Sequence, residues 1–348
     1  MAYSDQYDFP TLFRVVEAFP QDSNYLIDTF SKVGEPFPDD EIEIQTMKGH
    51  RPLAPYVNEL LPGKVILRTG FSAKQYKPAL LKPMRIITRH DLKVRQAGEN
   101  LINPKSPEER YDDLVAKDLV DLNSTLSRRE GQQLAEVMFT GKVTQIGEGV
   151  DQVLDWDFEN YEVLSGADLF SNQENDIMAF LQEWKLTVMQ GSGITPTRIL
   201  TTAEVASTIM RHATVLALIK TDNTSVLTPG QLNQTIQPGT DGVIFHGTLT
   251  QVGLSVYSYT NSYTNEEGEA VPYIPAGTLA MLPEGQPFTF HYGANLIMDT
   301  DGNFKFVQGR ITPQVLTTIE PPSRKVQFLS RPICVPDNVN GWFVAKVL

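Results

Sequence analysis

Residues 63–90 read GKVILRTGFSAKQYKPALLKPMRIITRH. Seven cationic side chains stand there (Lys64, Arg68, Lys74, Lys77, Lys82, Arg85 and Arg89) without one aspartate or glutamate. The 348-residue chain has a formal charge of −13, so the other 320 residues hold 22 basic against 42 acidic groups. KVILRT and MRIITR read as two strands, with Gly70, Pro78 and Pro83 between them, which predicts a long ribbon with a loose tip. A two-stranded ribbon is marginal alone in water, and nothing nearby in the sequence covers the apolar side chains of Val65, Leu67, Ile86 and Ile87. Two partners suit it: a polyanion, or acidic surface on another copy of the chain. Phe71 and Tyr76 are too few aromatics for stacked bases, and the surrounding acid repels phosphate. A second copy satisfies both observations, and a ribbon-onto-body contact repeats into rings or shells when its rotation closes.

Upstream, residues 1–62 carry eleven acidic and four basic groups and read as an arm more than a core. TLFRVVEAF (11–19) and NYLIDTFS (24–31) are amphipathic, and Glu41, Glu43 and Gln45 then alternate with Ile42, Ile44 and Thr46 at strand period. Downstream, Ser106-Pro107-Glu108-Glu109 supplies a capping box with proline at the first helical position. Tyr111, Val115, Leu119, Leu122 and Leu126 follow at helical spacing, and Leu134, Val137 and Met138 continue to Gly141. The pattern predicts a helix near 107–139, a rod of roughly 50 Å.

Beyond it, GKVTQI and QVLDWDF read as strands. A box from Ser171 to Glu174 is expected to open a helix with the stripe Ile177, Leu181, Trp184 and Val188, ending near Gly191. RILTT (198–202) reads as a strand, with Thr201 to Glu204 capping the helix AEVASTIMRHATVLALI. DGVIFHGTL, LSVYSYTNSYT and VPYIPAGTLAMLP follow as strands, so helices on a mixed sheet between 165 and 300 make an α+β unit. The tail strands NFKFVQGR, VQFLSRPICVP and GWFVAKVL are expected to join the sheet begun near 142–158.

Composition and motifs argue against several classes. A charge of −13 is wrong for a protein built to grip nucleic acid. One cysteine, Cys334, forms no intrachain disulfide and suits a reducing cytosol. MAYSDQYDFP is acidic and polar where a signal peptide would be basic and then apolar, and no apolar run reaches the roughly 18 residues of a membrane helix. His50, His90, His212, His246 and His291 lack metal-ligand spacing. Gly70-Phe71-Ser72-Ala73-Lys74 lacks the last glycine of a nucleophile elbow. Gly141-Lys142 lacks the earlier glycine and the following Ser or Thr of a phosphate loop, and reads as a helix stop. Asp301-Gly302, between LIM and FKF, reads as a hairpin turn rather than a calcium loop. Nothing selects Asp155 and Asp157 as an acid–base pair. No catalytic, cofactor or metal residue is expected, and the chain is not read as an enzyme.

NYLIDTFSKVGEPFPDDEIEIQ, LAPYVNELLPGKVILRTGFSAKQYKPALLKP, QAGENL and the capped helix ending in FTGKVT come in the order of a known family. The chain resembles the major capsid proteins of lambda-like tailed phages, the capsid protein E family. The likeness is strongest over residues 24–145, in Pro55-Tyr56-Val57, Gly63, Val65, Gly70, Pro78, Lys82-Pro83, Gly98-Glu99 and Gly141. YIPAGTLAML and RPICVPDNVNGWFVAKVL resemble the later strands more weakly.

This resemblance implies an α+β Hong Kong 97-type shell fold. Its parts would be an N-terminal arm (1–48), an extended β-hairpin loop (49–96), and a peripheral domain (97–165 and 306–348) with a spine helix near 107–139. The axial domain would be 166–305. It also implies a ribbon reaching over a neighbouring subunit, with its seven cations as contacts and hinges at Gly49, Gly63 and Gly98. The implied partners are the chain itself in hexamers and pentamers, a scaffold and maturation protease, a portal, often a decoration protein, and enclosed double-stranded DNA bound without sequence specificity. Assembly would take place in the host cytoplasm and the product would be the virion. No covalent cross-link is expected, because neither a partner asparagine nor a catalytic glutamate is identifiable. The alternatives are a nanocompartment shell of the same fold, a soluble enzyme with an unrecognised site, and a nucleic-acid-binding module.

Overall fold

The computed structural model describes residues 24–38, 41–46, 54, 56–57, 62, 72–94, 106–221, 242–298, 303–320 and 322–348. Its longest element is the helix Pro107–Thr140, 34 residues, begun by the expected reciprocal cap. The Ser106 backbone N–H donates to Glu109 Oε2 (2.8 Å), and the Glu109 N–H donates to Ser106 Oγ (3.2 Å). Gly141 ends it in the left-handed region at φ 68°. A side chain there would be strained by that backbone and would also collide with Phe158 Cβ. Midway, Gly131 has no side chain because Asn24 crosses the helix against it. The apolar stripe is split between two cores. Val115, Leu119, Leu122 and Leu126 pack with Ile87, Ile311, Val326 and Phe328, whereas Leu134, Val137 and Met138 enter the main core.

That main core lies against a six-stranded mixed sheet in the order Tyr161–Val163, Phe343–Lys346, Thr278–Pro283, Pro196–Thr201, Leu254–Tyr259, Val243–Leu249. Leu200, Ala280 and Val344 face the core that holds the rear of the long helix. Their neighbours Ile199, Leu279, Met281 and Ala345 face the other core, formed with the helix Ile177–Ser192 and Ala203–Arg211. With both faces covered, Thr278–Pro283 is buried at every position, and its sequence shows no polar alternation. Trp184 anchors the outer core between the rings of Phe170, Phe180 and Phe343, at 6.0, 6.0 and 5.2 Å.

Residues 24–33, expected within the arm, pack on the body: Leu26 and Phe30 of the helix Tyr25–Phe30 are buried, and Ser31–Val33 pairs in parallel with Phe288–Tyr292. Several expectations about element boundaries need correction. The second long helix starts at Ile177 with Asp176 as its cap, accepting from the N–H groups of Met178 and Ala179. Ser171 to Asp176 instead forms a turn in which the Asn175 amide donates to the carbonyls of Asp168 and Leu169. It ends at Ser192, with Gly193 in the left-handed region at φ 74°. Thr202, not Thr201, caps the next helix, because the Thr201 hydroxyl is already bound to the Thr278 carbonyl at 2.7 Å.

That next helix is two helices, Ala203–Arg211 and Ala213–Thr221. Buried His212 breaks it, its ring held 2.8 Å from the Asn172 carbonyl. The tail strands do not join residues 142–158, where Lys142–Gly147 and Val150–Asp155 pair only with each other among the described residues. Pro332–Pro336 pairs with Phe288–Tyr292, and Phe343–Lys346 enters the six-stranded sheet. Asn295–Met298 and Phe304–Val307 pair antiparallel; Asp301-Gly302, expected as the turn between them, lies outside the described residues.

MRIITR was expected to pair with KVILRT, which lies outside the described residues. Among the described residues the strand Met84–Thr88 pairs with Ser323–Leu329, which pairs in turn with Thr312–Thr318. Ser72–Tyr76, within the expected tip, pairs with Ile42–Thr46. The apolar side chain of Ile87 therefore has a cover within its own chain, from residues more than two hundred positions away.

Candidate assembly surface

Strand alternation divides Met84–Thr88 between two environments. Ile87 and Arg85 face the long helix, while Met84 and Ile86 stay exposed on the opposite side. The Arg85 guanidinium lies 3.5 Å from Asp118 Oδ1 and 3.1 Å from Asp121 Oδ2. These two carboxylates stand three residues apart, one turn of the same helix face. Burial raises the Asp118 pKa above the usual carboxylate range, Arg85 opposes that, and Asp121 adds to it. Acid for Arg85, expected on another copy, is thus present on the long helix of its own chain.

Local bonds hold this end of the ribbon. Leu81 and Ser330 exchange backbone hydrogen bonds of 2.8 and 3.0 Å. Thr88 donates from its N–H (2.8 Å) and hydroxyl (2.7 Å) to Asp91 Oδ2, starting the short helix Arg89–Lys93. The Thr88 hydroxyl and then its backbone N–H lower the Asp91 pKa. Lys77, Lys82 and Arg89 are exposed, and Lys74 lies within Ser72–Tyr76. Lys64, Arg68, Gly49, Gly63 and Gly98 lie outside the described residues.

Beneath Arg89 a cleft of about 720 Å³ separates the strand end from the start of the long helix, floored by Ile87, Leu92 and Tyr111. The Arg324 guanidinium sits 4.8 Å from the centre of the Tyr111 ring.

A second polar cluster fixes the middle of the helix. Asn123, Ser127 and Glu130 share one face and converge on Arg310. Arg310 Nη2 donates to Glu130 Oε2 (2.7 Å) and Ser127 Oγ (2.8 Å), Nε donates to both Glu130 oxygens (3.1 Å), and Nη1 donates to Asn123 Oδ1 (3.3 Å). The Tyr292 hydroxyl donates to Glu130 Oε1 at 3.1 Å. Burial alone would lower the Arg310 pKa; the charge and hydrogen bonds of Glu130 outweigh it and hold the group above its usual value. Sequence reading missed this cluster, as it missed Asp118 and Asp121. Its one signal was polar residues at helical spacing inside an otherwise apolar sector.

The groups with chemical potential are engaged structurally. The Cys334 thiol is buried, which pushes its pKa well up. His246 sits 2.8 Å from Ser258 Oγ, and burial lowers its pKa. Asp155 pairs with Lys142 at 2.8 Å and accepts from the Asp157 N–H at 2.9 Å. Among the described residues no group of three or more His, Cys, Asp or Glu is placed to hold a metal, and no helix is long and apolar enough to cross a membrane.

Residues 8–347 match the family described as phage major capsid protein E. The chain is 25% identical over 118 residues to the major capsid protein of Enterobacteria phage phi80, covering 34% of this chain and 35% of that protein. It is 24% identical over 124 residues to the major capsid protein of Escherichia phage lambda, covering 36% of each. These matches span about a third of the relatives' own length. In three dimensions the chain is similar to a prophage protein of E. coli CFT073 described as a capsid protein, with a TM-score of 0.68 and 17% identity, covering 98% of this chain and 99% of that one.

Proposed function

The chain belongs to the phage major capsid protein E family, and from that premise we propose that it assembles, through hexamers and pentamers, into the icosahedral shell that encloses a phage double-stranded DNA genome. The family match over nearly the whole chain carries this reading. Two structural observations support it: exposed cations flanking a strand, Lys82 before it and Arg89 after it, one face of which is locked to the body, and an exposed apolar row, Met84 and Ile86, on its other face.

In this reading Lys64, Arg68, Lys74, Lys77, Lys82 and Arg89 meet carboxylates of a neighbouring subunit, and Arg85 braces the base of the ribbon through Asp118 and Asp121. Gly49, Gly63 and Gly98 serve as hinges between a compact precursor shell and an expanded one. The arm, extended loop, peripheral and axial regions are the working division of the chain, with residues 24–33 and 343–346 packed as described above. A scaffold and maturation protease, a portal and a decoration protein are the expected partners, host cytoplasm the place of assembly, and the virion the destination. The role is structural and not catalytic. Each contact is weak, and the closed shell gains from their number.

Co-expression with scaffold, followed by negative-stain imaging, tests the proposal. Shells or capsomers of five and six subunits are expected; a 38.9 kDa monomer under all those conditions overturns it.

A further inference from the structure

The hairpin Asn295–Met298 with Phe304–Val307 sorts its side chains in an unexpected direction. Leu296 pairs with Phe306 and Met298 with Phe304, so all four share one face. They are 50%, 60%, 54% and 70% exposed respectively, whereas Ile297 on the opposite face is 5% exposed. On that opposite face Asn295 and Ile297 are buried and Lys305 is exposed, while two phenylalanines, a leucine and a methionine are left in water. Apolar area left wet forfeits about 25 cal/mol per Å², and patches beyond a few hundred Å² on a soluble chain mark contacts.

We propose that this face is a contact between copies: the hairpin of one chain packs face to face on the same hairpin of a second. The inference rests on the shell reading and names one of its contacts. Two observations select a second copy as the occupant. The first is charge. In a chain of −13, most surfaces repel their own image, but this face carries no charged side chain. A two-fold axis lying in the contact, perpendicular to the strands, sets Phe304 over the second copy's Phe306 and Leu296 over its Met298.

The second observation is area. Large apolar side chains of roughly 150–250 Å² for aromatics, half to two-thirds exposed, give on the order of 400 Å² per copy. A stable interface needs about 800 Å² per partner. The face is therefore too small to hold a dimer in dilute solution and suits an assembly in which several weak contacts act together. Methionine and phenylalanine at its centre tolerate small differences in angle between neighbouring subunits.

The test mixes chains carrying Phe304→Cys with chains carrying Phe306→Cys, associates them, oxidises mildly, and maps the disulfide; Cys334 is buried and stays out of the reaction. A link from 304 to 306 between chains is expected. In parallel, Phe304→Ser with Phe306→Ser should leave thermal unfolding of the isolated chain unchanged, since both side chains are exposed. It should also raise the concentration needed for assembly at least tenfold. Absence of the link, or assembly of the serine variant at wild-type concentration, overturns the proposal. Loss of assembly without the link overturns it too, because the occupant is then another face or another protein. The link is read on any associated form of the chain, closed shell or not, so failure of the wild-type protein to form particles counts against the shell reading alone.

Discussion

Replacing Arg310 by methionine should be the most damaging single change at the long helix. The guanidinium makes five hydrogen bonds to Asn123, Ser127 and Glu130. The side chains of the ion pair are only 17% and 3% exposed, so water screens them little. Removing one partner of such a buried pair leaves a carboxylate without its counter-charge, which costs about 3–5 kcal/mol. Domains of ordinary stability hold only about 5–15 kcal/mol in total, so a large part of the margin disappears. Removing both charges, with Glu130→Met added to Arg310→Met, ends the desolvation penalty along with the attraction. The double variant should lie within about 2 kcal/mol of wild type. Denaturant unfolding of the unassembled chain for wild type, both single variants and the double variant gives the coupling directly. Simple additivity, or a cost below about 1 kcal/mol for Arg310→Met, would refute the view that this cluster clamps the helix to the body.

Three further outcomes follow from the same geometry. Arg85→Ala should cost the isolated chain about 1 kcal/mol, the worth of a half-exposed ion pair, whereas Lys82→Glu with Arg89→Glu should leave unfolding unchanged and suppress particle formation; equal effects of both on unfolding would contradict the division of roles. Gly141→Ala should lose about 2–4 kcal/mol by thermal or denaturant unfolding, from left-handed backbone strain and overlap with Phe158. Burial raises the Glu136 pKa, against the pull of its bonds from Thr144 and Gln132. Its stabilising contribution is therefore complete below the ordinary glutamate value of 4.5 and fades as pH rises through the elevated folded value. Glu136→Gln should melt higher than wild type at neutral pH, with the gap closing below that value; a gap that widens in acid would reverse the sign.

Features that depend on neighbours along the chain were legible from the residues alone. Ser106, Pro107, Glu109 and Gly141 specify where the long helix begins and ends, because a cap is a bond spanning three or four residues. Ile177, Leu181, Trp184 and Val188 give the buried stripe of the next helix by spacing alone. The order and spacing of segments along residues 24–145 were enough to suggest the family. Tertiary structure alone decided which elements meet. Met84–Thr88 carries the same alternation whatever it pairs with, and its pairing with Ser323–Leu329 places Ile87 beside Val115 and Arg85 beside Asp118. His212 breaks a continuous helical pattern because a carbonyl forty residues earlier binds its ring. Strand and helix periods record which face is apolar, not what lies against it, and contacts between distant segments depend on how the whole chain closes on itself.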